Sequence, residues 1–261
     1  MNKKILFIFT IISLLFCSWE QVSFPNIAIN GILFDEDDIY MIDFEGIVYK
    51  SSNNGIQWES WEEINSLSFN IINSIHYNEE LYVIADNLIL ISNDYGNNWA
   101  TIDSPIINGY PNLLMVNENF IYVSFGCNLY KISKLYYFWQ NITTNLNDIG
   151  PEEPYSCTVI NDIEFYNNNL IASVYWYGGV GTLLRNENNQ WIEIESFPAE
   201  HSNGYIYSIS DLLAKNGVLY AGTASSQNGI FYTEDLDNWI EYSNGLESFD
   251  LSVNELNSTN D

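Results

Sequence analysis

Asp43, Glu45, Asp86, Asp148, Glu152 and Glu153 fall in turns between short apolar runs. Carboxylates so placed are the groups from which glycoside hydrolysis is built, because that reaction needs two of them facing across a cleft. The chain holds 34 acidic residues, so a pair can arise without being catalytic, and the reading leans away from an enzyme. Tyr175-Trp176-Tyr177 offers other chemistry, since aromatic faces stack on sugars and anchor protein interfaces. With His201, in the segment Pro198–Gly204, these aromatics and Asp43, Glu45 and Asp86 make up the candidate ligand-binding set. Alternate members of the aromatic run serve equally well as strand core. Asp35, Asp37 and Asp38 are a weak candidate for Ca²⁺; a charged hairpin tip explains them equally well. His76 and His201 lack His or Cys neighbours at zinc spacing. No cofactor is otherwise expected.

Short strands must position these groups. A four-residue strand opening recurs at Ile29–Ile32, Ile72–Ile75, Tyr110–Leu113, Ile160–Ile163, Ile209–Leu212 and Val253–Leu256. A tryptophan then opens a later strand at Trp19, Trp58, Trp99, Trp139, Trp191 and Trp239, with spacings of 39, 41, 40, 52 and 48 residues. Between them lie runs such as Leu81–Ala85 and Leu88–Ile91. β-Branched and aromatic runs separated by Asn, Asp and Gly are strand and hairpin signals. Four antiparallel strands at this period predict an all-β propeller of four-stranded blades, at about 29–61, 72–102, 110–142, 160–194 and 209–242.

The turn before the tryptophan has its own pattern. Ser92, Asp94, Gly96 and Trp99 fit S-x-D-x-G-x-x-W; Ser51, Asn53, Gly55 and Trp58 fit it with Asn for Asp; Thr233, Asp235 and Trp239 form a shorter copy without the Gly. Ser, Asp and Asn side chains bond turn backbone, and Gly supplies the left-handed residue, so these positions are expected to be structural. The pattern resembles the bacterial neuraminidase repeat (BNR), or Asp box, of β-propellers in the sialidase and sortilin-like superfamily. The resemblance implies that the acidic and aromatic loops above gather at the central mouth. Sialidases bind their substrate carboxylate through three arginines; this chain has Arg185 alone, which excludes a conventional sialidase. Similar repeats occur in sortilin-like receptors and photosystem II assembly factors, which bind proteins or peptides. The resemblance therefore implies a non-catalytic binding or adhesion propeller with a protein, peptide or glycan ligand; the alternative is a glycoside hydrolase with a carboxylate pair at the mouth.

The ends do not balance. Trp19–Val22 resembles only an outer strand and Val253–Asn257 only an inner one, giving five complete blades and partial strands of a sixth. A chain truncated from a longer propeller is expected, the alternative being closure around five blades by one terminal strand. Residues 1–18 carry Lys3 and Lys4 before the apolar run Ile5–Cys17, which reads as a secretory signal peptide rather than a membrane span. Residues 19–261 would then be the exported propeller, secreted or at the cell surface or periplasm. Five basic residues face 34 acidic ones there, a balance that disfavours nucleic acid and anionic membranes. Export permits a disulfide between Cys127 and Cys157, though their spacing does not demand one.

Overall fold

The computed structural model describes residues 29–35, 38–43, 47–53, 55–63, 71–86, 88–94, 96, 98–105, 111–149, 158–176, 180–198, 208–224, 229–242, 253 and 256. They build five four-stranded antiparallel sheets, each a meander in which every strand pairs with its neighbour in sequence. Blade one holds β1 (Ile29–Asp35), β2 (Asp38–Asp43), β3 (Ile47–Ser51) and β4 (Glu59–Glu63). Blade two holds β5 (Ile71–Tyr77), β6 (Glu80–Ala85), β7 (Leu88–Ser92) and β8 (Ala100–Asp103). Blade three holds β9 (Pro111–Val116), β10 (Phe120–Phe125), β11 (Asn128–Ser133) and β12 (Trp139–Asn141). Blade four holds β13 (Val159–Tyr166), β14 (Asn169–Trp176), β15 (Val180–Glu187) and β16 (Gln190–Glu193). Blade five holds β17 (Ile209–Lys215), β18 (Val218–Thr223), β19 (Ile230–Thr233) and β20 (Ile240–Glu241). The first strands of successive blades pack side by side, β1 on β5, β5 on β9, β9 on β13 and β13 on β17. The arrangement is a β-propeller.

Asparagine shapes the hairpins. Asn78-Glu79, Asn167-Asn168, Asn188-Asn189 and Asn216-Gly217 are two-residue turns with positive φ at both positions, the turn whose twist matches paired strands. Second strands are deeply buried. Leu81–Ala85, Ile121–Phe125 and Leu170–Val174 are buried at every position because other blades cover both faces of the sheet. The core accordingly lies between blades. One cluster joins blades one and two, another two and three, and further ones three to four and four to five. The tryptophans act across the same boundaries. Trp99 packs against the cluster that joins blades one and two, and Trp139 Nε1–H donates to Asp103 O at 2.9 Å. Trp191 Nε1–H donates to Ile142 O at 2.9 Å, and Trp239 meets Phe197 edge-on at 4.9 Å.

Every first strand carries a register shift near its start, between Ile29 and Gly31, Ile71 and Asn73, Ile160 and Asp162, and Ile209 and Asp211. In blade three it falls where Ser124 and Phe125 pair with Leu113 and Pro111. Blade two opens at Ile71 and blade four at Val159, one residue ahead of the expected Ile72 and Ile160; Tyr110 lies outside the described residues. At each register shift a bulge absorbs one residue of the first strand. Cys127 is disulfide-bonded; Cys17 and Cys157 lie outside the described residues, as does the expected signal peptide. Among the described residues no helix is long and apolar enough to cross a membrane.

Candidate functional site

Three surfaces position chemically able side chains: the turns after the third strands, the inner-strand junctions, and the loops between second and third strands.

In blade two, the buried Ser92 hydroxyl accepts from the N–H groups of Gly96 at 2.8 Å and Asp94 at 3.3 Å. It donates to the Asp94 carboxylate at 2.8 Å, and that group also accepts from Asn98 N–H at 2.8 Å. Gly96 has φ of 94°, open to a residue without Cβ. Blade one repeats the scheme, with Gly55 N–H to Ser51 Oγ at 2.9 Å and Gln57 N–H to Asn53 Oδ1 at 2.8 Å. In blade five Thr233 Oγ1 accepts from Leu236 N–H at 3.0 Å, and Asp235 accepts from Asn238 and Asp237. Those donors, led by the Asn238 side chain, hold the Asp235 carboxyl at about 2. These turns satisfy themselves and offer a ligand little.

Blade three keeps Ser133 and Trp139 but puts Leu135-Tyr136-Tyr137-Phe138 between them. Ser133 Oγ accepts from the N–H groups of Leu135 at 3.2 Å and Tyr136 at 3.3 Å, and Tyr137 N–H donates to Ser133 O at 2.9 Å. The backbone thus turns as in the other blades, with Tyr137 at φ of 50°, while the side chains face solvent. Leu135, Tyr136, Tyr137 and Phe138 are 73%, 77%, 61% and 69% exposed. Lys134 leaves the tip uncharged. Its ammonium turns towards blade two, 3.7 Å from Glu80 and over the rings of Tyr77 at 4.7 Å and Tyr82 at 4.8 Å, and burial lowers its pKa. Four consecutive exposed large apolar residues are uncommon on a folded surface and mark contact sites. This turn was not among the residues singled out from sequence. The available signal was an apolar run where the other blades place Asp, Asn and Gly.

The inner strands carry a second constellation. Asn112 Nδ2 donates to Ile160 O at 3.0 Å, and Asn161 Nδ2 to Ile209 O at 2.9 Å. The Asp162 carboxylate accepts from Leu212 N–H at 2.7 Å. Burial first, then the neighbouring Asp211, raises the Asp162 pKa well above its ordinary value. Burial raises Asp211 as well. It also lifts Glu164 to about 7, against opposing N–H donors from Phe165 and Ala214. Desolvation outweighs hydrogen bonding at all three.

Of the residues expected at the mouth, Asp43 is buried, accepting from Ile47 N–H at 2.8 Å and from the Tyr49 hydroxyl at 3.2 Å. Asp86 holds a left-handed turn position with φ of 51° after β6. Tyr175 sits near the end of β14, paired with Val159 and Gly181, and Trp176 pairs with Val180. Glu45, Tyr177, Glu152, Glu153 and His201 lie outside the described residues. Asp148 ends a 3-10 turn, Leu146–Asp148. Asp38 pairs with Lys50 at 2.7 Å, which lowers its pKa; Asp35 closes the same hairpin opposite it, and Asp37 lies outside the described residues. Among the described residues no group of three His, Cys, Asp or Glu side chains could hold a metal ion. Arg185 pairs with Glu187 at 3.1 Å on β15.

No protein-family model and no curated protein matches the chain. Among solved structures it is similar to YCF48 bound to D1 peptide, at 15% identity and a TM-score of 0.56, covering 85% of this chain and 70% of that one. It is also similar to the extracellular domain of the hybrid two component system BT4673 from B. thetaiotaomicron, at 14% identity and a TM-score of 0.60, covering 85% of this chain and 29% of that one. A third is the GH74 enzyme of Niastella koreensis, at 18% identity and a TM-score of 0.51, covering 78% and 36%. At such identities the likeness shows the fold alone: this chain is a β-propeller.

Proposed function

We propose that this chain is an exported, non-catalytic protein-interaction propeller of the Asp-box class, binding a peptide or protein partner through the Leu135–Phe138 turn. The observation that carries the reading is that turn's exposed run of one leucine and three aromatics, where the matching turns after β3, β7 and β19 carry Asn, Asp or Gly. Aromatic side chains on a rigid turn present large contact area at low entropic cost, the property that makes them interface hot spots. The acidic chain favours a partner whose apolar cleft is rimmed by basic residues. A propeller of similar shape bound to a peptide supports a peptide or protein ligand over a glycan. The basic, apolar start of the chain supports export. The reading needs no cofactor.

The hydrolase alternative draws on the GH74 likeness and needs a carboxylate pair across an open cleft. Of the described candidates Asp43, Asp86 and Asp148, Asp43 has both oxygens engaged within its own hairpin.

The test is a combined peptide and glycan array with the 19–261 protein, with and without Ca²⁺, against the Tyr136→Ser/Phe138→Ser variant. Peptide capture is expected to fall by about a hundredfold in the variant, on the scale of two lost hot-spot residues, with its melting temperature unchanged. Capture that survives both substitutions, or hydrolysis of an arrayed glycan, would sink the reading.

A further inference from the structure

The junction between blades four and five has two parts. A polar side chain at the bulge of one inner strand donates to the first carbonyl of the next motif, as Asn161 does to Ile209. The carboxylate beside it accepts the N–H of that motif's fourth residue, as Asp162 does from Leu212. Asn112 makes the first contact from blade three to blade four.

Blade five repeats both parts. Ser210, at its bulge, donates to Val253 O, and Asp211 accepts from Leu256 N–H. The register is the same: Val253 stands where Ile209 stands, and Leu256 where Leu212 stands. Val253 N–H also donates to Thr223 O at 2.8 Å. Blade five makes room for this strand at Gly222, where a Cβ would stand 2.7 Å from Val253 Cγ1 and 3.1 Å from its Cβ. Contacts that close exclude any residue but glycine unless the neighbour moves.

We propose that this flank of blade five is a strand-accepting surface, and that its occupants are the chain's own Val253 and Leu256, received in the register of an inner strand at a sixth blade position. The partner it fits is an extended segment with a β-branched first residue over Gly222 and an aliphatic fourth. A tail adhering to an apolar patch would bury side chains without fixed register. Here two backbone groups three residues apart are received by the side chains that blade four's counterparts predict. The surface is therefore specific for backbone as well as side chain, and it is filled in cis.

Amide exchange of the full chain, followed by NMR, tests this. Val253 and Leu256 N–H are expected to exchange at least about a hundredfold more slowly than an unstructured chain. Gly222→Val and Val253→Arg should each abolish that protection, while Leu212 N–H, held by Asp162, keeps its own. Asp211→Ala should expose Leu256 more than Val253, a split that general loosening would not produce. If Gly222→Val does not fold, Val253→Arg decides, because it alters only the docked segment. Exchange of Leu256 at the unstructured rate in the wild-type protein, or protection that survives Val253→Arg, overturns the proposal.

Discussion

Carboxylates occupy two settings in this molecule, and the settings push them in opposite directions. On the outer turns Asp235 is surrounded by N–H donors in solvent and is held at about 2. On the inner strands Asp162, Asp211 and Glu164 also accept backbone N–H groups, yet burial raises all three. The same residue type with the same kind of partner thus ends on either side of its ordinary value. Desolvation decides the sign, since a hydrogen bond inside the sheet stack cannot replace the lost water. Outer acids fasten single turns, whereas inner acids join one blade to the next.

Removing an acid from each setting should separate them most clearly. Asp162→Ala leaves the Leu212 N–H without its acceptor at a blade junction, at an expected cost of about 3 kcal/mol in urea unfolding. A loss no larger than that of an outer-turn acid would erase the distinction.

The pH dependence of stability sharpens the contrast next. Glu164 titrates near 7 when folded and near 4.5 when unfolded, so the unfolded chain releases its proton first. Its stabilising effect is full below about 4.5 and is lost as pH rises through about 7. Relative to Glu164→Gln, the wild-type protein should lose on the order of 2 kcal/mol between pH 5 and 8. Parallel melting curves for the two proteins across that range would contradict this assignment.

In the outer setting the hydroxyl matters more than the charge. Ser92→Ala orphans the buried Gly96 N–H and should cost about 1.5 kcal/mol by chemical denaturation. Asp94→Asn should change stability by less than about 0.5 kcal/mol, because Asn53 already performs that role in blade one. A larger effect of Asp94→Asn would show that the outer acids work by charge after all.

Much of the scaffold was legible in the chain. Serine–aspartate turns act within a few residues, and Asn-rich pairs set left-handed hairpins locally, so neither waits on the tertiary fold. Strand type and number follow from short-range pattern as well. The bulge near the start of each inner strand was not legible, since a bulge shows only when the partner strand is present. The Leu135–Phe138 turn stood in the sequence as an apolar run but was not singled out, because only packing shows which apolar residues are left uncovered. Asp162 and Glu164 looked like two acids among 34.

What the sequence by itself determined is therefore the local grammar of five four-stranded units, their turns and the acidic balance of the surface. The tertiary structure alone decided which acids lose their water, which tryptophan bridges which blade, and that Val253 and Leu256 meet blade five in the register of a further inner strand. These depend on contacts between groups some 40 to 50 residues apart, and such contacts exist only once the blades have stacked and excluded solvent between them.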